Sequence, residues 1–129
     1  MTNSHKLPLL AVLLAVLFPL SLLAAAAPKY NSATEATLEG SLLYVAEHPT
    51  RAEWTGLYAI MREGAGEIEV HLAPGSFLAE EGLEIHTGDT IKVVGSRTKW
   101  KDVDIILARE VTIKGKTVAL RDKDGKPRW

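Results

Sequence analysis

Two stretches of this chain combine an indole with nearby cations, a pairing suited to holding an anionic or ring-bearing ligand. Residues 47–55 read Glu-His-Pro-Thr-Arg-Ala-Glu-Trp-Thr, and residues 96–102 read Ser-Arg-Thr-Lys-Trp-Lys-Asp. They hold Trp54 and Trp100, two of only three tryptophans in the chain. An aromatic plane stacks on a ring or sugar face, while Arg or Lys pairs with an anionic group. The candidate ligand-binding residues are therefore His48, Arg51, Trp54, Arg97, Lys99, Trp100 and Lys101. The competing reading is that the two tryptophans cap the mouth of a barrel and the lysines are simply solvated.

Other chemistries find less support. His48, His71 and His86 show no H-x-x-x-H spacing, so no metal site is expected. The carboxylate pairs Glu80/Glu81 and Asp102/Asp104 lack the apolar surroundings that would raise a carboxyl pKa for acid–base work. G-x-S-x-G, P-loop, G-x-G-x-x-G and H-E-x-x-H motifs are all missing. With no cysteine, thiolate metal sites, disulfides, a cysteine nucleophile and covalent haem attachment are excluded. The expectation is a protein that is not an enzyme and carries neither cofactor nor metal.

The elements that must position Trp54 and Trp100 begin after a targeting segment. Residues 1–26 read as a secretory signal peptide: His5 and Lys6, an apolar run over 7–23, then Ala24–Ala27 as a small-residue cleavage site. Pro28 argues for cleavage after Ala26, and an exported, periplasmic or secreted chain with no stable membrane insertion. The alternative is an uncleaved anchor, since residues 7–27 are about long enough to span a bilayer. The remaining 103 residues divide into an N-terminal extension, 27–36, and one domain, 37–129. Residues 27–91 carry 3 basic and 11 acidic side chains, whereas 92–129 carry 11 basic and 5 acidic. Strands from the two halves that interleave and pair their charges would account for this asymmetry.

Apolar residues recur mostly with a period of two. Strands are expected over 37–47, 56–62, 67–72, 90–96 and 103–113, with a further short strand at 117–121. In 67–72, Ile68, Val70 and Leu72 alternate with Glu67, Glu69 and His71, the cleanest half-buried pattern in the chain. Leu38 and Leu42 differ in parity from Val45, which a bulge at Gly40 would reconcile. Residues 74–83 have a helix-like spacing around Phe77 and Leu78. Val70, Ile91, Val93, Ile105, Leu107 and Val111 are the expected core, plugged by Phe77 or Leu78. Arg109 then falls on the inward parity between Leu107 and Val111. Either a bulge turns it out, or a carboxylate such as Asp122 or Glu110 holds it, because an unpaired inward guanidinium is too costly.

Strand, strand, strand, short helix, strand, strand and an optional sixth strand define an all-β, five- to six-stranded OB-fold-like Greek-key barrel. In that arrangement 47–55 and 96–102 are the L12 and L45 loops, which flank the ligand face of strands two and three. The chain resembles a group of small exported bacterial OB-fold proteins of uncharacterised function. The likeness is carried by Lys29-Tyr30-Asn31, Ala33-Thr34-Glu35, residues 70–74, Gly88-Asp89, Gly95-Ser96-Arg97, residues 108–111 and residues 120–129. It implies export and fold, and no activity. The function expected is a non-enzymatic module taking a protein or anionic small-molecule partner at the L12/L45 mouth. Oligonucleotide binding and a structural place in a cell-envelope complex are the alternatives. Nucleic acid is disfavoured by Glu63, Glu67 and Glu69, which would repel phosphate beside Tyr58. Mass spectrometry of the envelope fraction should show a mature chain starting at Ala27 or within a residue or two. A full-length chain held in the membrane would make 7–23 an anchor instead.

Overall fold

A computed structural model of the 129-residue chain describes residues 27–47 and 56–129. The alternating patterns become strands β1 (Glu35–Glu47), β2 (Leu57–Glu63), β3 (Gly66–His71), β4 (Thr90–Trp100), β5 (Val103–Ile113) and β6 (Lys116–Ala119). One α-helix, α1 (Gly75–Glu80), separates β3 from β4. The sheet runs β3-β2-β1-β4-β5-β6, and a parallel β3–β5 pairing closes the first five strands into a barrel. This is the OB-fold-like Greek key expected, with β6 as the extra strand.

Closure makes single strands serve two neighbours. Residues 35–41 of β1 pair with β4, and residues 42–47 pair with β2. β5 pairs with β3 through residues 105–107 and with β6 through residues 110–113. Where a strand changes partner its phase must be corrected, and two bulges do this. On β1 the extra residue is Leu43, between the Leu42↔Met61 and Tyr44↔Ile60 pairs, so Leu38, Leu42 and Val45 all reach the core. The bulge expected at Gly40 is thus displaced by three residues. Gly40 answers a different need, since a Cβ there would lie 2.3 Å from the Arg62 carbonyl oxygen.

The second bulge lies on β5. Val94 pairs with Glu110 and Gly95 with Ala108, leaving Arg109 as the extra residue. Gly95 permits the approach, because a Cβ there would stand 2.3 Å from the Leu107 carbonyl oxygen. Ile106, Ala108, Val111 and Ile113 therefore share the barrel core. Ile105 and Leu107 are fully buried, as expected, but lie outside that cluster. A strict period of two carried past Arg109 had put them inside. Val70, Ile91, Val93 and Val111 are core as expected.

The helix is shorter than its sequence pattern. It ends where Gly82, at φ 71°, adopts the left-handed conformation. Gly82 N–H donates to Ala79 O at 3.0 Å and Leu83 N–H to Leu78 O at 2.9 Å, the paired bonds of a Schellman cap. The cap brings Leu83 back toward Leu78, and both belong to the buried core. Phe77 is only partly buried and packs against Trp129, ring centroids 5.9 Å apart. Among the described residues no helix is long and apolar enough to cross a membrane. Ile106→Ala should lower the unfolding free energy by about 2–5 kcal/mol, transfer and cavity terms together. A urea midpoint unmoved by that substitution would place Ile106 outside the core.

Candidate binding face

The outer sides of the first three strands carry a row of rings. Tyr44 on β1 lies 6.2 Å from Tyr58 on β2, tilted by 55°. Tyr58 is the register partner of His71 on β3. Trp100 then meets the His71 ring edge-on, with centroids 5.4 Å apart. Alternation explains the alignment: the adjoining residues Ala59 and Val70 belong to the core and Val45 packs against it, so their neighbours face out. Tyr44 is 52% exposed, whereas His71 is fully buried despite its outward phase. Its Nε2 lies 2.6 Å from Glu69 Oε2. Burial pushes the Tyr58 hydroxyl pKa up, with lesser contributions from Tyr44 and the Glu69 charge.

Trp100 reaches this row from a hairpin, not from an L45 loop. β4 runs unbroken to Trp100, which pairs with Val103, and the connection is only Lys101-Asp102. Both have positive φ, 52° and 64°, the geometry of a type I′ turn that keeps the strand twist continuous across the connection. Residues 96–100, expected as loop, are therefore strand. Arg97 forms an ion pair with Glu63, Lys99 Nζ stands 3.7 Å from Asp104, and Lys101 Nζ lies 4.7 Å above the Trp100 ring. The three cations and the ring of the second stretch thus sit on one arm, but Arg97 is already committed to a carboxylate. A cavity of about 270 Å³ opens beside Arg97, Thr98, Lys99, Asp104 and Ile105. His48, Arg51 and Trp54 lie outside the described residues, so their placement relative to Trp100 is not part of this geometry.

Arg109, turned out by its bulge, joins a polar cluster at the start of β1. Its Nε lies 2.5 Å from Glu35 Oε1, and its NH1 lies 3.0 Å from Glu110 Oε2. Glu110 was an expected partner and Asp122 the other; Glu35 takes the principal role. Tyr30 donates its hydroxyl to the same Glu35 oxygen at 2.6 Å. The Arg109 and Tyr30 hydrogen bonds hold the Glu35 carboxyl below the ordinary carboxylate range. Burial first, then the Glu35 hydrogen bond and charge, push the Tyr30 pKa up to about 12. Asn31 N–H donates to Ser96 Oγ, and Thr34 Oγ1 donates to the Arg97 carbonyl, so the chain before β1 is fixed to the base of the Trp100 arm.

Glu80 and Asp102, Asp104 are exposed, and among the described residues no group of three or more His, Asp or Glu is placed to hold a metal. Tyr44 was not singled out as a site residue by sequence. Its only signal was parity, and the bulge at Leu43 reverses the parity inferred from Leu38 and Leu42.

Fold and face together define a small closed β-barrel of OB-fold-like topology with an aromatic outer face over its first three strands. The chain belongs to the MamS/MamX magnetosome protein family, whose family model matches residues 34–118. That span covers the barrel, the ring row and most of β6, and leaves out Tyr30 and Trp129. No curated protein matches the chain.

The Glu35 cluster makes stability depend on pH with a definite sign. A carboxyl whose pKa is lowered on folding contributes stability above its unfolded pKa, and that contribution is lost as pH falls through the folded value. Urea midpoints measured from about pH 6 to about pH 3 should fall more steeply for the natural chain than for Glu35→Gln. The two curves should converge at the acid end. Parallel acid limbs would show that the cluster contributes nothing.

Proposed function

We propose that this chain is a non-enzymatic binding module of the magnetosome, exported from the cytoplasm, that receives a partner protein segment across Tyr44, Tyr58 and Trp100, the row being completed beneath the surface by the buried His71. The observation that carries this reading is the row itself. It lies on the side of strands two and three that OB-folds use for ligands. Tyr and Trp supply large contact areas with few rotatable bonds, which is why they dominate the energetics of protein interfaces. Lys101 over the indole and Lys99 at the hairpin add cations that orient an acidic group on the partner. An anionic small molecule fits the same cations, and the 270 Å³ cavity beside Arg97 and Lys99 is below the usual size of a small-molecule site.

Oligonucleotide binding is the weaker reading. A single-strand binder tracks phosphates along a continuous basic groove. Here Glu63 neutralises Arg97, and Glu67 and Glu69 lie on the neighbouring strand.

Quantitative mass spectrometry of proteins co-purifying with the natural chain from a magnetosome fraction tests the proposal. Tyr44→Ala and Trp100→Ala should each deplete the same partner about tenfold or more, the effect of removing an aromatic hot spot. Thermal unfolding of both variants should stay close to that of the natural chain. Retention of the partner by both stable variants would move the site elsewhere. A loss of about 3–5 kcal/mol of stability in Trp100→Ala, as for a buried aromatic, would make that residue part of the core.

A further inference from the structure

The core beside α1 is incompletely covered. Because α1 spans six residues and its Schellman cap turns the chain at once, only Leu78 and Leu83 are inserted deeply. Leu57 and Ile85 remain partly exposed beside them. The result is a groove of about 460 Å³ with an apolar floor of Leu57, Leu78, Leu83, Ile85 and Ile113. That volume falls within the range of small-molecule sites. None of its lining residues belongs to the ring row, so it stands independently of the function proposed above.

The rim carries two lysines, with carboxylates close by: Glu84 in the lining and Glu47 Oε1 beside Gly75, where a Cβ would approach it within 2.9 Å. β5 and β6 are joined by Lys114-Gly115, and both residues have positive φ, 51° and 81°. This tight turn places Lys114 and Lys116 at the groove, with Glu84 as the one carboxylate in the lining. Lys114 Nζ is 3.9 Å from Asp89, a long pairing at an exposed side chain. Lys116 has no ion pair among the described residues. Its Nζ lies over Gly82, where a Cβ would come within 2.8 Å of it. Glycine at the helix cap therefore does two things: it permits the left-handed turn and leaves room for an ammonium group at the groove's edge.

We infer that this groove binds a single-chain anionic amphiphile, its acyl chain on the Leu57–Leu78–Leu83–Ile85–Ile113 floor and its carboxylate at Lys116 and Lys114. Two arguments select that occupant. The apolar floor is a handful of side chains, whereas a stable protein interface draws on roughly 20–30 residues a side. A neutral apolar ligand would use the floor alone, while a carboxylate also gains a charge-assisted hydrogen bond from Lys116 at the groove's edge.

Calorimetric titration of the full chain with decanoate, kept below its micellar concentration, tests the site. Saturable binding is expected with one decanoate per chain, and decanol should bind about tenfold more weakly. Lys116→Gln should bring decanoate down to the decanol level without moving the thermal unfolding midpoint. Ala79→Phe, which places a ring in the groove lining, should abolish binding of both probes while leaving partner co-purification through the ring row intact. Decanoate binding that neither substitution changes would overturn the inference by assigning the amphiphile to another part of the chain. So would binding to anionic phospholipid vesicles with none to free decanoate, because that outcome requires a membrane surface and not this groove.

Discussion

Ring closure is the constraint on which the rest of this structure depends. A five-stranded sheet closes only if β3 and β5 meet, and they meet in parallel along just residues 69–71 and 105–107. To allow this, β1 and β5 must each exchange one neighbour for another partway along. Backbone crowding at the exchange points is severe, with Gly40 against the Arg62 carbonyl and Gly95 against that of Leu107. Any side chain at either position would collide with backbone and force the strands apart. Closure also explains β6, which covers the part of β5 that β3 leaves unpaired. An exposed edge at that point would be open to pairing with another chain.

Much of the fold was legible because burial on one side of a strand imposes a period of two. Ile68 and Val70 on β3, and Ile91 and Val93 on β4, are core as their alternation requires. Bulges were legible only as conflicts of parity, without a position. The conflict in β1 pointed to Gly40, the most conspicuous residue, while the extra residue is Leu43. In β5 an inward arginine was the signal, and either of the two outcomes considered would have satisfied it. The Trp100 arm was misread for a physical reason. Ser96-Arg97-Thr98-Lys99 is polar like a loop, but polar side chains are what an exposed hairpin arm displays, and Lys101-Asp102 makes its turn without glycine. His48, Arg51 and Trp54 could be named from composition, but lie outside the described residues.

The uneven charge along the chain has a structural resolution. Arg97 meets Glu63, Arg109 meets Glu35, Lys114 faces Asp89, and Arg128 stands 3.6 Å from Glu81. Each pair joins a cation of the basic second half to a carboxylate of the acidic first half. Individually such exposed pairs contribute little, about 0–1 kcal/mol. Their value lies in register, since a one-residue slip of β4 or β5 would separate the partners as well as expose the core. The Arg109–Glu35 pair carries most, because Tyr30 on the same carboxylate anchors the segment leading into β1. Tyr30 in turn lies against Gly125, where a Cβ would approach it within 2.3 Å. The C-terminal turn is thereby tied to the first strand, although it lies beyond the span that defines the family.

The ring row and the lysine-rimmed groove meet at one place in the chain, the start of β2, where Leu57 lines the groove and Tyr58 belongs to the row. Adjacent residues on a strand point to opposite sides, so the same backbone supports both surfaces. Coupling between two such sites needs an element with two discrete arrangements that each ligand biases differently. Leu57 is held on both of its backbone groups. Its N–H donates to Ala73 O at 2.9 Å and its carbonyl accepts from Leu72 N–H at 2.9 Å. Gly56 just before it, at φ 130°, is packed so closely on Ala73 that a Cβ would stand 2.9 Å from the Ala73 carbonyl carbon. A strand start held on both backbone groups can position two surfaces without transmitting occupancy from one to the other. The two proposed sites are therefore matters of the side chains that each surface displays, and the barrel they share is the scaffold for both.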